Sequence, residues 1–198
     1  LGFAIKAFED KKKVLFFSLE QSKAELVERL ISAKAAVPHW KIRKHQLAAG
    51  DIEKLIKAKA DLMGGVFFID DHVGQSMMQM VSSVRKLKSR QGIDIVLIDY
   101  LQLIESDSRK GGHQNRQEQV AAISRRLKHL ARELEIPVVC LAQVNRKPED
   151  RADGRPKLSD LRESGGIEAD ADVVLLLHRP SDEDKSQITC IVAKQRNG

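Results

Sequence analysis

Apolar residues along this chain recur in two ways, at helical spacing or in short unbroken runs, and the two alternate. Phe3, Ala4, Ala7 and Phe8 share one face of a helix predicted over residues 1–9, and a basic turn then leads to the run VLFFS at 14–18, which suits a buried strand. A helix over 22–36 follows, with Leu26, Val27, Leu30 and Ile31 inward. Another is predicted over 51–63, with Asp51 as its N-cap and Gly64-Gly65 as its stop. VFFID at 66–70 reads as the second strand. The helix over 76–91 turns Met77, Met80, Val81, Val84 and Leu87 inward and is closed by Gly92. IDIVLID at 93–99 is the third strand, and a polar loop over 105–115 separates it from a long helix at 116–135. That helix carries a stripe of Val120, Ile123, Leu127, Leu130 and Leu134. Strand four is PVVCLA at 137–142, and a hydrophilic loop spans 144–159. Strands five and six lie at 172–178 and 187–194. Uniformly apolar strands between helices predict a three-layer α/β domain with a mainly parallel sheet covered on both faces. Strands five and six have no helix-length segment between them, so they are expected to pair antiparallel.

Length and composition narrow this picture. With 198 residues, 42% of them hydrophobic and 31% charged, the chain can build one core without staples and does not read as a disordered tail. The longest apolar runs, at 136–142 and 173–177, fall far short of the ~20 residues of a bilayer-crossing helix. Cys140 and Cys190 sit amid apolar neighbours and no cysteine or histidine pair has zinc spacing, so both are expected to be buried thiols in a reducing compartment. The formal charge is +6, from 34 basic and 28 acidic residues. Residues 109–132 alone hold seven bases and one acid, which accounts for the whole excess. Arg109, Lys110 and Arg116, in and just after the 105–115 loop, are therefore candidates for nucleic-acid phosphates, although a solvated helix face explains much of the same charge.

Ligands of doubly wound sheets collect at the carboxyl ends of the strands. Here FFSLE ends in Glu20, IVLID ends in Asp99, VVCLA runs into Gln143, and strand six leads to Gln195-Arg196. Apolar residues followed by Asp99 match a Walker B strand, whose carboxylate orients the water shell of a nucleotide-bound Mg²⁺. Glu20 is placed to act as general base toward water, and equally to charge the start of the next helix. A Walker A loop, which would cradle phosphates ahead of a helix, is not found, since no Gly-Lys dipeptide occurs. The helix at 1–9 looks like the one such a loop opens, so the loop is expected just before Leu1.

The segments FFSLE (16–20), IVLIDYLQLI (95–104), NRQEQVAAISRRLKHLARELEIPVVCLAQVNR (115–146), DLRESGGIEADADVV (160–174) and KQRNG (194–198) carry a resemblance across essentially the whole chain. The chain resembles the C-terminal motor domain of DnaB-type bacterial replicative DNA helicases, members of the RecA-like P-loop ATPases. The resemblance implies one motor domain over 1–198 and an enzyme that hydrolyses ATP with Mg²⁺. In it Glu20 polarises the hydrolytic water and Asp99 serves the metal through water, by the Walker B pattern. Gln143 matches the γ-phosphate-sensing glutamine. Lys194 and Arg196 match the pair that reaches into a neighbouring subunit's nucleotide site, Arg196 being the arginine finger. Arg162, Glu163 and Gly165 match a loop that holds one DNA strand by its backbone. The implied partners are single-stranded DNA, five further copies in a homohexamer, a primase and a helicase loader, in the cytoplasm and away from membranes. Without a phosphate loop the 198 residues alone are expected to hydrolyse ATP poorly. A non-catalytic RecA-like DNA- or partner-binding protein and a RecA-type recombinase are the competing readings. DYLQL and the segment from Asp160 argue against the recombinase.

Overall fold

The computed structural model describes residues 1–105, 115–145, 154–164, 166–180 and 187–196. Its centre is β1 (Val14–Ser18), in which every residue is buried. On one side β1 pairs with β2 (Phe67–Asp70), and on the other with β3 (Ile95–Asp99), which in turn pairs with β4 (Val138–Cys140). All three pairings are parallel, so the sheet runs β2-β1-β3-β4. Because successive side chains point to opposite faces, β1 feeds two cores. Val14 and Phe16, with Leu97 of β3, pack against Ala4 of α1 (Gly2–Glu9) and Leu26 and Leu30 of α2 (Lys23–Ala35). Leu15 and Phe17, with Val96 and Ile98, meet the opposite layer. That layer is Met77, Met80 and Val84 of α5 (Met77–Gln91) and Val120, Ile123, Leu127 and Leu130 of α6 (Arg116–Leu134). This is the three-layer α/β architecture that the apolar runs predict.

Local chemistry sets the helix ends. Ser22 caps α2 by accepting from the Glu25 N–H, while the Glu25 carboxylate accepts from the Ser22 N–H, a reciprocal capping box. Ser76 and Gln79 do the same for α5, and Asn115 caps α6. Asp51 departs from its expected place. The helix α4 (Ala49–Met63) starts two residues before it, and from the first turn its carboxylate accepts the Ala48 N–H at 3.2 Å and Lys41 Nζ at 3.0 Å. Reaching back from the third helical position satisfies the N–H of the N-cap residue, whereas a side chain at the N-cap would accept from the N–H of the second or third helical residue. A short helix α3 (His39–Arg43) and a four-residue helix α7 (Ile167–Asp170) were not expected.

The last two strands, β5 (Val173–His178) and β6 (Thr189–Gln195), pair antiparallel as expected, but as a separate two-stranded sheet. Burial of β5 on both faces is not what the structure shows. Val174 and Leu176 turn inward onto Leu161, Ala142 and Val144, whereas Val173, Leu175 and Leu177 are exposed. Among the described residues only one face of this hairpin has a layer to pack against, so the alternation of the strand decides burial despite the apolar sequence. The same alternation leaves Cys190 exposed, against the expectation of a buried thiol, while Cys140 is partly covered at the end of β4. Both cysteines are free. No helix among the described residues is long and apolar enough to cross a membrane.

Candidate functional site at the carboxyl ends of the strands

The parallel register gathers the predicted residues on one edge. Ser18 pairs with Asp99, and the Leu19 N–H donates to the Asp99 carbonyl at 2.9 Å, so Glu20 follows directly beyond the end of β3. The buried Ser18 hydroxyl donates to the Gln21 carbonyl at 2.7 Å and folds the chain over at that point. Ile98 pairs with Cys140, and the Leu141 N–H donates to the Ile98 carbonyl at 2.9 Å. Gln143 leaves β4 two residues later. Glu20, Asp99 and Gln143 thus stand at three adjacent strand ends.

Glu20 is exposed and Asp99 half-buried, and neither carboxylate takes a hydrogen bond from the described residues. Acids that serve only as helix caps are hydrogen-bonded to N–H groups, as Glu25 and Asp51 are, and these two are not. Among the described residues the Gln143 side-chain amide has no hydrogen-bond partner either, while its backbone is held on both sides: its N–H donates to Gln102 Oε1 at 3.3 Å, and its carbonyl accepts from Gln102 Nε2 at 3.1 Å. Among the described residues no three acidic, histidine or cysteine groups converge as a metal cage. One free carboxylate at a strand end fits Mg²⁺, which keeps most of its water and takes phosphate oxygens as further ligands.

Two residues of this edge escaped the sequence reading. Asp70 ends β2 as Asp99 ends β3, and the shared pattern of an apolar run closed by Asp was the available signal. Its carboxylate accepts from Gln75 Nε2 at 2.8 Å and faces His72 Nδ1 at 2.7 Å. Burial works to raise its pKa, but the bonds from Gln75 and His72 outweigh it and hold the carboxyl below its ordinary value. His72 is raised in turn, first by its hydrogen bond to Asp70. Asp160 is the second. Buried beneath the 3₁₀ segment Leu158–Ser164, it accepts from the Lys157 N–H at 2.6 Å while its own N–H donates to the Lys157 carbonyl at 2.9 Å. The backbone of Arg162 and Glu163 runs in that segment.

The remaining predicted residues lie elsewhere. Lys194 and Arg196, at the end of β6, turn back onto α7. Lys194 Nζ donates to the carbonyls of Glu168 and Ala169, and Arg196 Nη2 donates to the Ala169 carbonyl at 2.7 Å. Arg196 Nη1 also lies 3.4 Å from Asp172, which is ion-paired to Lys128. These cations, the Lys128 bond foremost, hold the Asp172 carboxyl below its usual range. Arg116 is exposed at the start of α6 and donates to the Gln102 carbonyl and to Gln119 Oε1, the latter at 3.0 Å. Arg109, Lys110 and Gly165 lie outside the described residues.

A parallel sheet with acids at adjacent strand ends, followed by an antiparallel hairpin, defines a RecA-like ATPase domain. Solved structures agree. One, an ATPase domain, superposes with a TM-score of 0.86 at 38% identity over 96% of this chain and 69% of that one. Another, a DnaB-like replicative helicase studied for its interactions with primase, gives a TM-score of 0.86 at 37% identity over 96% of this chain and 47% of that one. The model of the DnaB-like helicase C-terminal domain matches residues 2–198, and the chain belongs to that family. Among its relatives are the replicative DNA helicases DnaB of Leifsonia xyli subsp. xyli (44% identical over 93% of this chain) and of Geobacillus stearothermophilus (42% over 97%). The chain spans only 41% and 43% of their lengths.

Proposed function

We propose that this domain is the ATP-driven motor of a replicative DNA helicase, which moves along single-stranded DNA and separates the duplex ahead of it. The observation that carries the reading is the set of three polar side chains, Glu20, Asp99 and Gln143, that take no hydrogen bond from the described residues and stand on adjacent strand ends of a sheet whose family is that of DnaB-like helicases. In this reading a phosphate loop completes the nucleotide site.

Each group has one task. Mg²⁺ bound with ATP neutralises phosphate charge, and Asp99 orients its water shell. A Glu20 carboxylate oxygen aligns the attacking water and takes its proton. The Gln143 amide reads the terminal phosphate by hydrogen bonding. Lys194 and Arg196 serve the site of the next copy in a hexameric ring, where a guanidinium on the transferring phosphoryl group contributes about 10³–10⁵ in rate. Arg162, Glu163 and Gly165, with the basic residues Arg109, Lys110 and Arg116, contact the DNA backbone rather than its bases. A chain of 198 residues with one Trp and one Tyr has few aromatic platforms for base stacking. The setting is the cytoplasm, and a primase and a loader are the protein partners.

The test is Glu20→Gln in the full-length protein, which keeps shape and hydrogen bonding but cannot take the proton. ATP hydrolysis and strand separation should both fall by about 10²–10⁴ while nucleotide binding persists. Hydrolysis at the wild-type rate in the variant, or no strand separation by the wild type, refutes the reading.

A further inference from the structure

The side chain of Gln102 does something that the strand pattern around it does not require. The β3–β4 ladder ends at Ile98 and Cys140, and two more backbone bonds prolong it, Leu141 N–H to the Ile98 carbonyl and Leu101 N–H to the Leu141 carbonyl, both at 2.9 Å. Beyond them the chain bends into the 3₁₀ turn Leu101–Leu103 and its backbone no longer faces Gln143. There the Gln102 amide takes the place of a peptide group, donating to the Gln143 carbonyl and accepting from the Gln143 N–H. The Gln102 carbonyl, in turn, accepts from the Arg116 guanidinium. Arg116 is the first residue of α6, directly after the polar 105–115 stretch that holds Arg109 and Lys110. A single residue therefore ties the backbone of Gln143 to the start of the helix that follows this stretch.

We infer that Gln102 is a positioning residue that couples the nucleotide-reading Gln143 to the DNA-contacting Arg116 at the start of α6. This rests on the function proposed above. A primary amide meets both demands of the Gln143 backbone, since it carries a donor and an acceptor in one plane. A carboxylate at 102 would accept from the N–H but oppose the carbonyl, and an apolar side chain would do neither. With the clamp in place, a displacement of Gln143 on sensing phosphate is passed to the Gln102 backbone and so to Arg116. Without it, the two ends move independently. Gln102 touches neither phosphate nor DNA in this account, so its loss separates two quantities that a merely structural residue would change together. The ratio of DNA-stimulated to basal hydrolysis falls, while the KM for ATP without DNA does not follow.

The experiment uses the full-length protein and its variants Gln102→Met, Gln102→Glu, Arg116→Met and the double variant Q102M/R116M. ATP hydrolysis is followed with and without a saturating oligothymidylate, alongside the DNA Kd and thermal unfolding. The expected result for Gln102→Met is a fall in the stimulation ratio of about fivefold or more. The KM for ATP without DNA stays within about twofold of wild type. Gln102→Glu should fall at least partway with it, because the donor is gone. Arg116→Met should lower the ratio even at saturating DNA, and the double variant should be no worse than the worse single one, since both cut one chain of contacts. Wild-type stimulation in Gln102→Met, or additive losses in the double variant, overturns the coupling. Should Gln102→Met fail to fold, Arg116→Met decides: an intact ratio at saturating DNA refutes the link, a lowered one upholds it. Absence of DNA-stimulated hydrolysis in the wild type itself brings down the helicase reading, a failure distinct from the others.

Discussion

Gly166 offers a test of how tightly the short helix α7 is seated. It stands at the N-cap of α7 with φ −94° and ψ −24°, a conformation open to any residue, so adding a side chain strains no backbone torsion. The obstacle is space. A Cβ there would lie 2.7 Å from Ala121 Cβ, 2.8 Å from Ala121 Cα and 3.3 Å from the Ala121 carbonyl oxygen on α6. Ordinary carbon contacts are about 3.5–4.0 Å, so α6 and α7 must part by roughly 1 Å. Ala121 presents its own backbone, which cannot swing aside. Overpacking of this kind costs about 1–3 kcal/mol. At about 2–4 °C per kcal/mol for a domain of this size, Gly166→Ala should lower Tm by roughly 2–12 °C. Gly50 is the matched control. It lies in the first turn of α4 with no atom within 4 Å of an added Cβ, so Gly50→Ala should gain about 0.5–1 kcal/mol from helix propensity. The assay is thermal and urea unfolding followed by circular dichroism. Adding Ala121→Gly to Gly166→Ala should recover part of the loss, because it removes the 2.7 Å contact and leaves the one with the backbone. A Gly166→Ala protein as stable as wild type would refute this account of the α6–α7 contact.

Two further outcomes follow from charge placement. His72 should titrate above the ordinary histidine value in NMR, and Asp70→Asn should return it there. The contribution of the pair to stability is full below the ordinary histidine pKa and is lost as pH rises through the raised one. At the acid end it is lost as pH falls through the depressed pKa of Asp70, and an unshifted His72 in the wild type would contradict the contact. In the second, Arg196→Ala and Glu20→Gln subunits, each inactive alone, should regain hydrolysis when mixed, because about a quarter of the interfaces in a random equal mixture pair an intact Glu20 with a neighbour's intact Arg196. No recovery on mixing would place Arg196 in its own subunit's chemistry.

The layers of this domain were legible because β1 and β3 are short unbroken apolar runs buried on both faces, and such runs leave little choice of fold. The helix over 22–36 was legible for a local reason, the spacing of Leu26, Val27, Leu30 and Ile31, whereas the Ser22–Glu25 capping box at its start came from the structure. Asp51 was expected at the N-cap, three residues from the actual one at Ala48, because an acid at the N-cap and an acid in the first turn both serve free N–H groups of a helix start, and composition does not separate them. Nor did the exposed faces of β5 and β6 show in the sequence. An apolar strand does not say how many layers will cover it. Of the site, the acids closing apolar runs could be read directly. Gln102 and Asp160 could not, because their roles lie in hydrogen bonds to backbone 41 residues away or beneath a turn, and no sequence period records such partners.

Lys194 and Arg196 occupy the carbonyls of α7 and the carboxylate of Asp172 within their own chain. In the role proposed for them toward a neighbouring copy, this is a home position with a cost of leaving. A phosphate that drew Arg196 away would have to compete with a carbonyl and a carboxylate at once. The α7 turn that supplies these carbonyls is held in place by the close seat of Gly166 on Ala121.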